Sequence, residues 1–212
     1  SVTGFLLSTN LSASTSLITK EAETLWLAFF RSPTEVAYYR LAVGLAAFPM
    51  FPVRSMIQPT YRELAAKIGS HDHRGAFRLL TRGSRLAALW VIPVAVVLLI
   101  GGSFLIRTVY TPEMLPTLPA LWIILPGVGL SNVLYWNPSA LLALSESRFL
   151  MKLSLGLVVL KLVLLFTLVP AYGYIGSAIA LTALYLVGTS LSVRRFIRRL
   201  QNLTVRSVAV LE

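Results

Sequence analysis

Three long runs without a charged residue constrain the fold of this chain more than any other feature. The first run, 86–106, has 21 residues and lies between Arg85 and Arg107. The other two runs cover 114–145 and 162–193. About 20 consecutive apolar residues are enough for a helix to cross a bilayer. A soluble domain carries about 25% charged residues, whereas this chain of 212 residues has 13%. The runs therefore predict a polytopic, all-α transmembrane helix bundle.

Proline and glycine divide the sequence into six predicted helices. The third run is too long for one span, and its centre, "VPAYGYIG" (169–176), is typical of a turn between two helices. "GSHDHRG" (69–75) predicts a polar loop. The predicted helices are about 3–30, about 35–57 with an amphipathic extension to about 68, about 77–108, about 115–144, about 149–169 and about 174–198. They form a single domain over 1–212. The chain begins without a signal peptide, as if cut from a longer protein.

Basic residues predict the orientation of these helices. The net charge is +11, and Lys and Arg concentrate in the segments 62–85, 148–152 and 194–206. Six spans put all three segments on one side, which the positive-inside rule makes cytoplasmic. We therefore expect a multi-pass protein of the cell inner (cytoplasmic) membrane with both ends of this segment in the cytoplasm. The basic loops are expected to contact anionic membrane lipids rather than nucleic acid.

Helix one carries charges in an apolar setting. In "SLITKEAETLWLAF" (16–29), a helical wheel places Glu23 on a hydroxyl-rich face with Lys20 at its edge, and Glu21 on the opposite side. Two carboxylates on opposite sides cannot share a proton or a metal ion, so a paired-carboxylate site is not expected here. Two interpretations stay open. The face lines a water-filled path, or the hydroxyls assist helix packing while the charges pair with each other or with neighbours.

Two further cations lie at predicted membrane depth. Lys161 is near the middle of helix five, with no acid close to it in sequence, and intramembrane charges are by default candidates for function. We expect it to face a cavity, since its stem is short for reaching the interface. Arg54 lies among Pro49, Pro52 and Pro59, where a broken helix can face protein or water. The alternative is that Arg54 lies at the cytoplasmic head groups.

Few other residues offer chemistry. Asn132, Tyr135 and Asn137 are candidates for binding a polar ligand or for hydrogen bonds between helices. "HDH" (71–73) is a possible metal site, but no other ligand converges there and a solvated loop is the favoured interpretation. The chain has no cysteine, no Ser/His/Asp arrangement and no Gly-rich phosphate loop. We therefore expect neither a cofactor, nor a metal ion, nor enzymatic activity.

Several short stretches resemble the polysaccharide flippases of the multidrug/oligosaccharidyl-lipid/polysaccharide exporter superfamily. "LVPAYGYIGSAIA" is the most specific and is similar to the family's "P.yG..GaAiA" turn. "TEVAYYRLA", with Ala37 in place of the usual Gly, and "ALSESRF", with Ser147 in place of Gly, resemble two further segments. "IQPTYRELA" resembles a helix end before a basic linker. "TKEAETLWLAFF" resembles a segment with a single acid, which Glu23 matches best.

The resemblance implies a fold and a function. The chain would be the C-terminal, six-helix lobe of a MATE-like flippase, and a second, N-terminal six-helix lobe is expected as its partner. The whole protein would move an undecaprenyl-pyrophosphate-linked oligosaccharide across the cytoplasmic membrane by alternating access. Glu23 is the candidate for ion coupling or for balancing Lys20. The candidate substrate-binding residues are Lys161, Arg54, Lys20, Asn132 and Asn137.

Three other functions stay open on the sequence. A drug or cation antiporter of the same superfamily would be expected to rely on carboxylates rather than on cations. A membrane-embedded glycosyl- or acyltransferase would need an Asp/His-bearing loop, for which "HDH" is the candidate. A non-transporting membrane scaffold would be favoured if Lys161 and Glu23 were paired and dry.

Overall fold

A computed structural model describes residues 23–70 and 72–209, without the side chains of 73 and 201–209. Every regular element in these ranges is a helix, which confirms the predicted all-α class. The first described helix, α1, covers 23–30. The others are α2 (Pro33–Ala47), α3 (Met50–Gly69), α4 (His73–Val109), a short 3₁₀ helix (Pro112–Met114), α5 (Thr117–Val133), α6 (Asn137–Ala143) and α7 (Ser147–Ala209).

Local sequence signals set where two of these helices begin. Ser32 caps α2, because its hydroxyl accepts a hydrogen bond from the Glu35 N–H at 3.4 Å, and Pro33 follows at a position where its missing N–H costs little. Asp72 caps α4 by accepting from the Gly75 N–H at 2.8 Å. Any Cβ at position 75 would overlap the Asp72 carboxylate, so glycine permits this cap.

Three helical stretches are long and apolar enough to cross a membrane. They are Arg74–Val109, Thr117–Ala143 and Ser147–Leu200. The pair α2 and α3, bent by 52° at its break, would supply a fourth span. These are the length and hydropathy of membrane-spanning helices. Predicted helix three, about 77–108, agrees with α4.

The longest helix, α7, is a hairpin of two segments. Gly173 has a φ of 57° and a ψ of −133°, a conformation that L-residues rarely adopt. The segment before it, α7a, and the segment after it, α7b, then lie side by side. A Cβ at Gly188 would come within 3.0 Å of Leu157, and one at Gly176 would overlap the Leu168 carbonyl. The turn predicted from "VPAYGYIG" is therefore confirmed.

Two predicted helices are broken in the structure. The helix expected over about 35–57 is divided into α2 and α3, because prolines 49 and 52 cannot donate the hydrogen bonds that would continue it. The helix expected over about 115–144 is divided into α5 and α6 at 134–136. Pro138 has no N–H for the Leu134 carbonyl, which accepts from the Asn137 N–H at 3.0 Å instead.

α5 lies at the centre and packs against α2, α4 and α7. Its glycine at 127 allows a close approach, since a Cβ there would lie 3.0 Å from the Thr182 backbone on α7b. The hydrophobic core has two parts. The α5 core joins helices α1, α2, α4, α5 and α7, and the α6 core joins α3, α4, α6 and α7.

The two ends of the bundle differ in charge. Around the α6 core lie the end of α3, the start of α4, the start of α7a and the end of α7b, which contain the three basic segments of the sequence. We call this the basic end. The opposite end, with Ser32, the 3₁₀ helix and Gly173, is called the turn end. The basic segments therefore gather on one side, as six alternating spans would require.

Candidate functional site

A buried ion pair joins three helices within the bundle. The Lys161 ammonium on α7a lies 2.9 Å from Oε1 of Glu23 on α1. The Tyr39 hydroxyl on α2 donates a hydrogen bond of 2.6 Å to Oε2 of the same carboxylate. The exposed fractions of Glu23, Lys161 and Tyr39 are 6%, 9% and 1%. We call these three residues the buried triad.

The triad changes the interpretation of Lys161. A buried charge is tolerated when a counter-charge and hydrogen bonds satisfy it, and both carboxylate oxygens of Glu23 have partners here. The expectation of an unpaired Lys161 is therefore wrong, since the nearest acid comes from a distant part of the chain. Glu23 balances Lys161. Lys20, which we expected it to balance, lies outside the described residues.

A cavity of about 420 Å³, which polar and apolar residues line in equal number and which we call the polar cavity, lies among α3, α5, α6 and both segments of α7. Asn132 and Asn137, both predicted as ligand-binding residues, line it together. Asn137 donates through Nδ2 to the Thr189 carbonyl at 3.1 Å. The other polar residues that line it are Ser131, Tyr135, Ser139, Ser154, Tyr185, Thr189 and Ser192.

Two amide atoms at this cavity have unused hydrogen-bonding capacity. Nδ2 of Asn132 and Oδ1 of Asn137 find no partner among the described residues, although the two side chains belong to residues only 3% and 5% exposed. Leaving a buried polar group unsatisfied costs about 1–3 kcal/mol. Both atoms are themselves covered by protein, so a hydroxylated guest in the cavity would reach this donor and this acceptor only after the two side chains turn toward it.

The cavity and the triad are neighbours. Leu157 lines the cavity and lies four residues before Lys161 on α7a, so the two residues share a face of that helix. Tyr135 also lines the cavity, but its hydroxyl lies 2.9 Å from the Thr60 hydroxyl and so serves the contact between helices. These polar residues were candidates either for binding a ligand or for hydrogen bonds between helices, and Tyr135 forms a hydrogen bond of the second kind.

Arg54 lies at the side of this cavity rather than in it. It is exposed on α3 between Met50 and Ile57, which both line the cavity. Helical spacing puts Arg54 within about a turn of each, on the flank of their shared face. The structure thus brings Asn132 and Asn137 together, places Lys161 in the neighbouring triad, and leaves Arg54 near the rim.

A second pocket, which the sequence did not indicate, lies at the basic end. It has a volume of about 480 Å³ and is lined by serines and cations around Glu146. Oε2 of Glu146 accepts from Nε and Nη2 of Arg195 at 3.1 and 2.9 Å, and Oε1 contacts Arg199. Its lining residues are Ser145, Glu146, Ser147, Arg148, Phe149, Lys152, Arg195 and Arg199. We call it the basic pocket.

The turn end contains a second unforeseen arrangement, which fastens α1 and α2 to the α7 hairpin. Oε2 of Glu35 accepts from the Tyr174 N–H at 3.1 Å. Arg31 donates from Nη2 to the Pro170 carbonyl at 2.6 Å. Any side chain at Gly173 would overlap Glu35. The only sequence signal was a pair of opposite charges four residues apart, next to a helix start.

The "HDH" segment does not supply a described metal site. Asp72 caps α4 and lies 3.9 Å from the Lys67 ammonium. Among the described residues, no group of three or more His, Asp or Glu side chains is placed to hold a metal ion. His71 and the His73 side chain lie outside the described part. Asp72 is thus accounted for by the helix start.

Comparison with known proteins adds no assignment. No protein-family model matches the chain, and a search of curated proteins gives no significant match. The chemistry available is therefore that of the site itself: a neutralised buried ion pair beside a cavity that offers amide and hydroxyl groups.

Proposed function

We propose that this chain is one six-helix lobe of a transporter that moves an undecaprenyl-pyrophosphate-linked oligosaccharide across the cytoplasmic membrane by alternating access. The observation that carries the proposal is the polar cavity, where buried Asn132 and Asn137 keep unused hydrogen-bonding atoms. The sequence resemblance to polysaccharide flippases supports the same substrate class. A second six-helix lobe would complete the pathway.

The lining of the cavity favours sugar over a charged drug. Among the described residues that line it, the polar groups are amides and hydroxyls and none is charged. Sugar hydroxyls can donate to Oδ1 of Asn137 and accept from Nδ2 of Asn132. The pyrophosphate would need cations elsewhere. Arg54 near the rim, together with Lys20, serves this role better than Lys161, whose charge Glu23 neutralises.

The buried triad supports a part in coupling. Protonation of Glu23 would remove the counter-charge of Lys161, and the cation would then favour a wetter arrangement. Glu23 holds together helices α1, α2 and α7a through its two oxygens. A proton or cation that competes for Glu23 would therefore alter the packing of three helices at once.

The proposed six spans follow the helices of the structure. The helix containing α1 is the first, the bent pair α2 and α3 the second, and α4 the third. The broken pair α5 and α6 is the fourth, and α7a and α7b are the fifth and sixth. The basic end would face the cytoplasm, so that both ends of this segment lie there.

One structural observation favours a second candidate, a non-transporting membrane scaffold. Lys161 is paired with Glu23 and both are buried, as a purely structural ion pair would be. In a scaffold, however, the amide atoms of Asn132 and Asn137 would be a cost without a benefit. The two candidate functions therefore make different predictions for Asn132: a transporter needs its amide to bind substrate, and a scaffold does not.

A flipping assay on the full-length protein tests the proposal through the variant Asn132→Leu. We expect flipping to fall at least tenfold, while the free energy of unfolding stays the same or rises, because an unsatisfied amide is replaced by an apolar side chain of similar size. The matched control is Ser177→Ala, which removes an unpartnered buried hydroxyl away from the cavity and should leave flipping unchanged.

Three more variants test the charged candidates in the same assay. We expect Arg54→Ala, Glu23→Ala and Lys161→Ala to reduce flipping or glycan display per molecule of folded protein. Normal activity in all of them and in Asn132→Leu would leave the scaffold as the better interpretation. Loss of activity in Glu23→Ala alone, with a wild-type Asn132→Leu, would instead favour an antiporter that relies on its carboxylate.

A further inference from the structure

The basic pocket holds an excess of positive charge that its own acid does not balance. Four cationic side chains and one carboxylate line it, so three positive charges are left over. Arg148 and Lys152 form no ion pair with any described residue. Their separation of four residues on α7a places both on the same face of that helix. The pocket therefore attracts anions.

The arginines of the pocket have unused donors. Each guanidinium carries five N–H groups in a planar fork. The contacts with Glu146 use Nε and Nη2 of Arg195 and Nε of Arg199. The side chains of Arg195 and Arg199 are 39% and 47% exposed, whereas that of Glu146 is 8% exposed. The carboxylate thus covers the inner side of the guanidiniums, and their outer donors are available to a ligand.

The shape of the pocket fits a phosphate group. Arginine forks match phosphate oxygens in a two-point arrangement. The Arg195 guanidinium lies 5.3 Å from the centre of the Phe149 ring, which fixes its plane. The hydroxyl-bearing Ser145 and Ser147 lie on either side of Glu146, and a volume of about 480 Å³ accommodates a headgroup. Glu146 occupies one side of this anion site with its own carboxylate.

We propose that the basic pocket is a phosphate-binding site, and that the bound phosphate competes with the Glu146 carboxylate for Arg195 and Arg199. An anionic phospholipid headgroup and free inorganic phosphate share this chemistry. The site does not depend on what the protein transports, because its residues are separate from the cavity and from the triad. Occupation would loosen the link between the α6–α7 loop and α7b.

The test is a binding titration of the purified full-length protein in neutral detergent, with bound molecules counted by native mass spectrometry. The probes are phosphatidylglycerol, phosphatidylcholine and inorganic phosphate. Phosphatidylglycerol should bind the wild-type protein more tightly than phosphatidylcholine. Arg148→Gln/Lys152→Gln should weaken it about thirtyfold, since the variant removes two cations and each cation at a membrane surface contributes about 1 kcal/mol. Both side chains are exposed, so the variant should fold normally.

A matched variant distinguishes binding in the pocket from general attraction of lipid by the basic surface. Arg62→Gln/Arg85→Gln removes two exposed cations from the same end of the bundle but outside the pocket. It should change the affinity by less than a factor of about two, because surface charges act diffusely. Equal losses in the two double variants, or equal binding of the two lipids, would overturn the proposal. Flipping by the matched variant is not expected to change.

Two further results identify the source of the phosphate and the role of Glu146. Glu146→Gln should bind phosphatidylglycerol several-fold more tightly, because the competing carboxylate charge is gone. Unchanged or weaker binding would refute the competition. Inorganic phosphate that displaces the lipid from the wild-type protein but not from Arg148→Gln/Lys152→Gln would assign a soluble source as well. If phosphatidylglycerol binds and inorganic phosphate does not displace it, the lipid headgroup is the source of the phosphate.

Discussion

At the residue scale, the buried triad joins two charged side chains from distant parts of the chain. Glu23 and Lys161 were both singled out because charges are rare in apolar helices. They meet at 2.9 Å although a large part of the chain separates them. Helical periodicity relates residues that are three or four apart, and it carries no information on which helices become neighbours. Tyr39, the third member of the triad, had no distinguishing signal for the same reason.

Removing one charge of the triad should cost more than removing both. We expect Glu23→Gln or Lys161→Met alone to lower the free energy of unfolding by about 3 kcal/mol, because each removes one partner of a buried ion pair and leaves the other charge buried without it. The double variant Glu23→Gln/Lys161→Met should recover most of this loss. The measurement is denaturant unfolding in micelles, arranged as a double-mutant cycle. Additive losses would show that the two side chains do not interact.

The hydroxyl of Tyr39 should contribute nearly as much to the free energy of unfolding as a charged contact does. It donates to a carboxylate at 2.6 Å in a place that is 1% exposed. We expect Tyr39→Phe to lower the free energy of unfolding by about 2 kcal/mol. Tyr38→Phe is the matched control, since the Tyr38 hydroxyl makes no hydrogen bond with the described residues. A similar loss in both would assign the effect to the aromatic packing.

At the element scale, the turn at Gly173 was predicted, whereas the break before Pro138 was not. Position 173 has a positive φ, and few residue types other than glycine adopt such a backbone conformation. A proline can begin a helix, bend it or end it, and packing against neighbours decides among these. Pro93 lies inside an unbroken α4, while Pro138 begins α6 after a break. A proline in the sequence therefore does not by itself show whether a helix continues or breaks.

The turn at Gly173 should not tolerate a side chain. Its φ of 57° and the overlap of any Cβ with Glu35 both oppose substitution. We expect Gly173→Ala to lower the free energy of unfolding by about 2 kcal/mol. Gly156→Ala, where no atom lies within 4 Å of the added Cβ on the same helical hairpin, should raise it by about 0.5–1 kcal/mol. Thermal unfolding of the purified protein compares the two.

At the scale of the whole molecule, composition predicted an all-α chain, and the structure confirms it. The order of packing was not predictable. α5 is central because it is apolar around its circumference and carries small residues where other helices approach, such as Gly127. Which helices cover each side is decided by contacts between distant segments. Asn132 and Asn137 meet at one cavity only because the helix between them is broken.

The proposed orientation can be tested by labelling single cysteines, since the chain has none of its own. Thr111→Cys lies at the turn end and Ser70→Cys near the basic end, and both positions are exposed. In intact cells, a membrane-impermeant maleimide should label Thr111→Cys and spare Ser70→Cys until the cells are opened. The reverse pattern would place the basic end outside.

The two ends of the bundle are fastened by different kinds of bond. At the turn end, Glu35 and Arg31 hold neutral backbone groups of Tyr174 and Pro170, and such contacts depend less on salt than an ion pair does. At the basic end, Glu146 is held by two arginines that are partly exposed to solvent and its ions. The Debye length is about 8 Å at physiological ionic strength and shortens as salt is added. Added salt should therefore loosen the basic end more than the turn end.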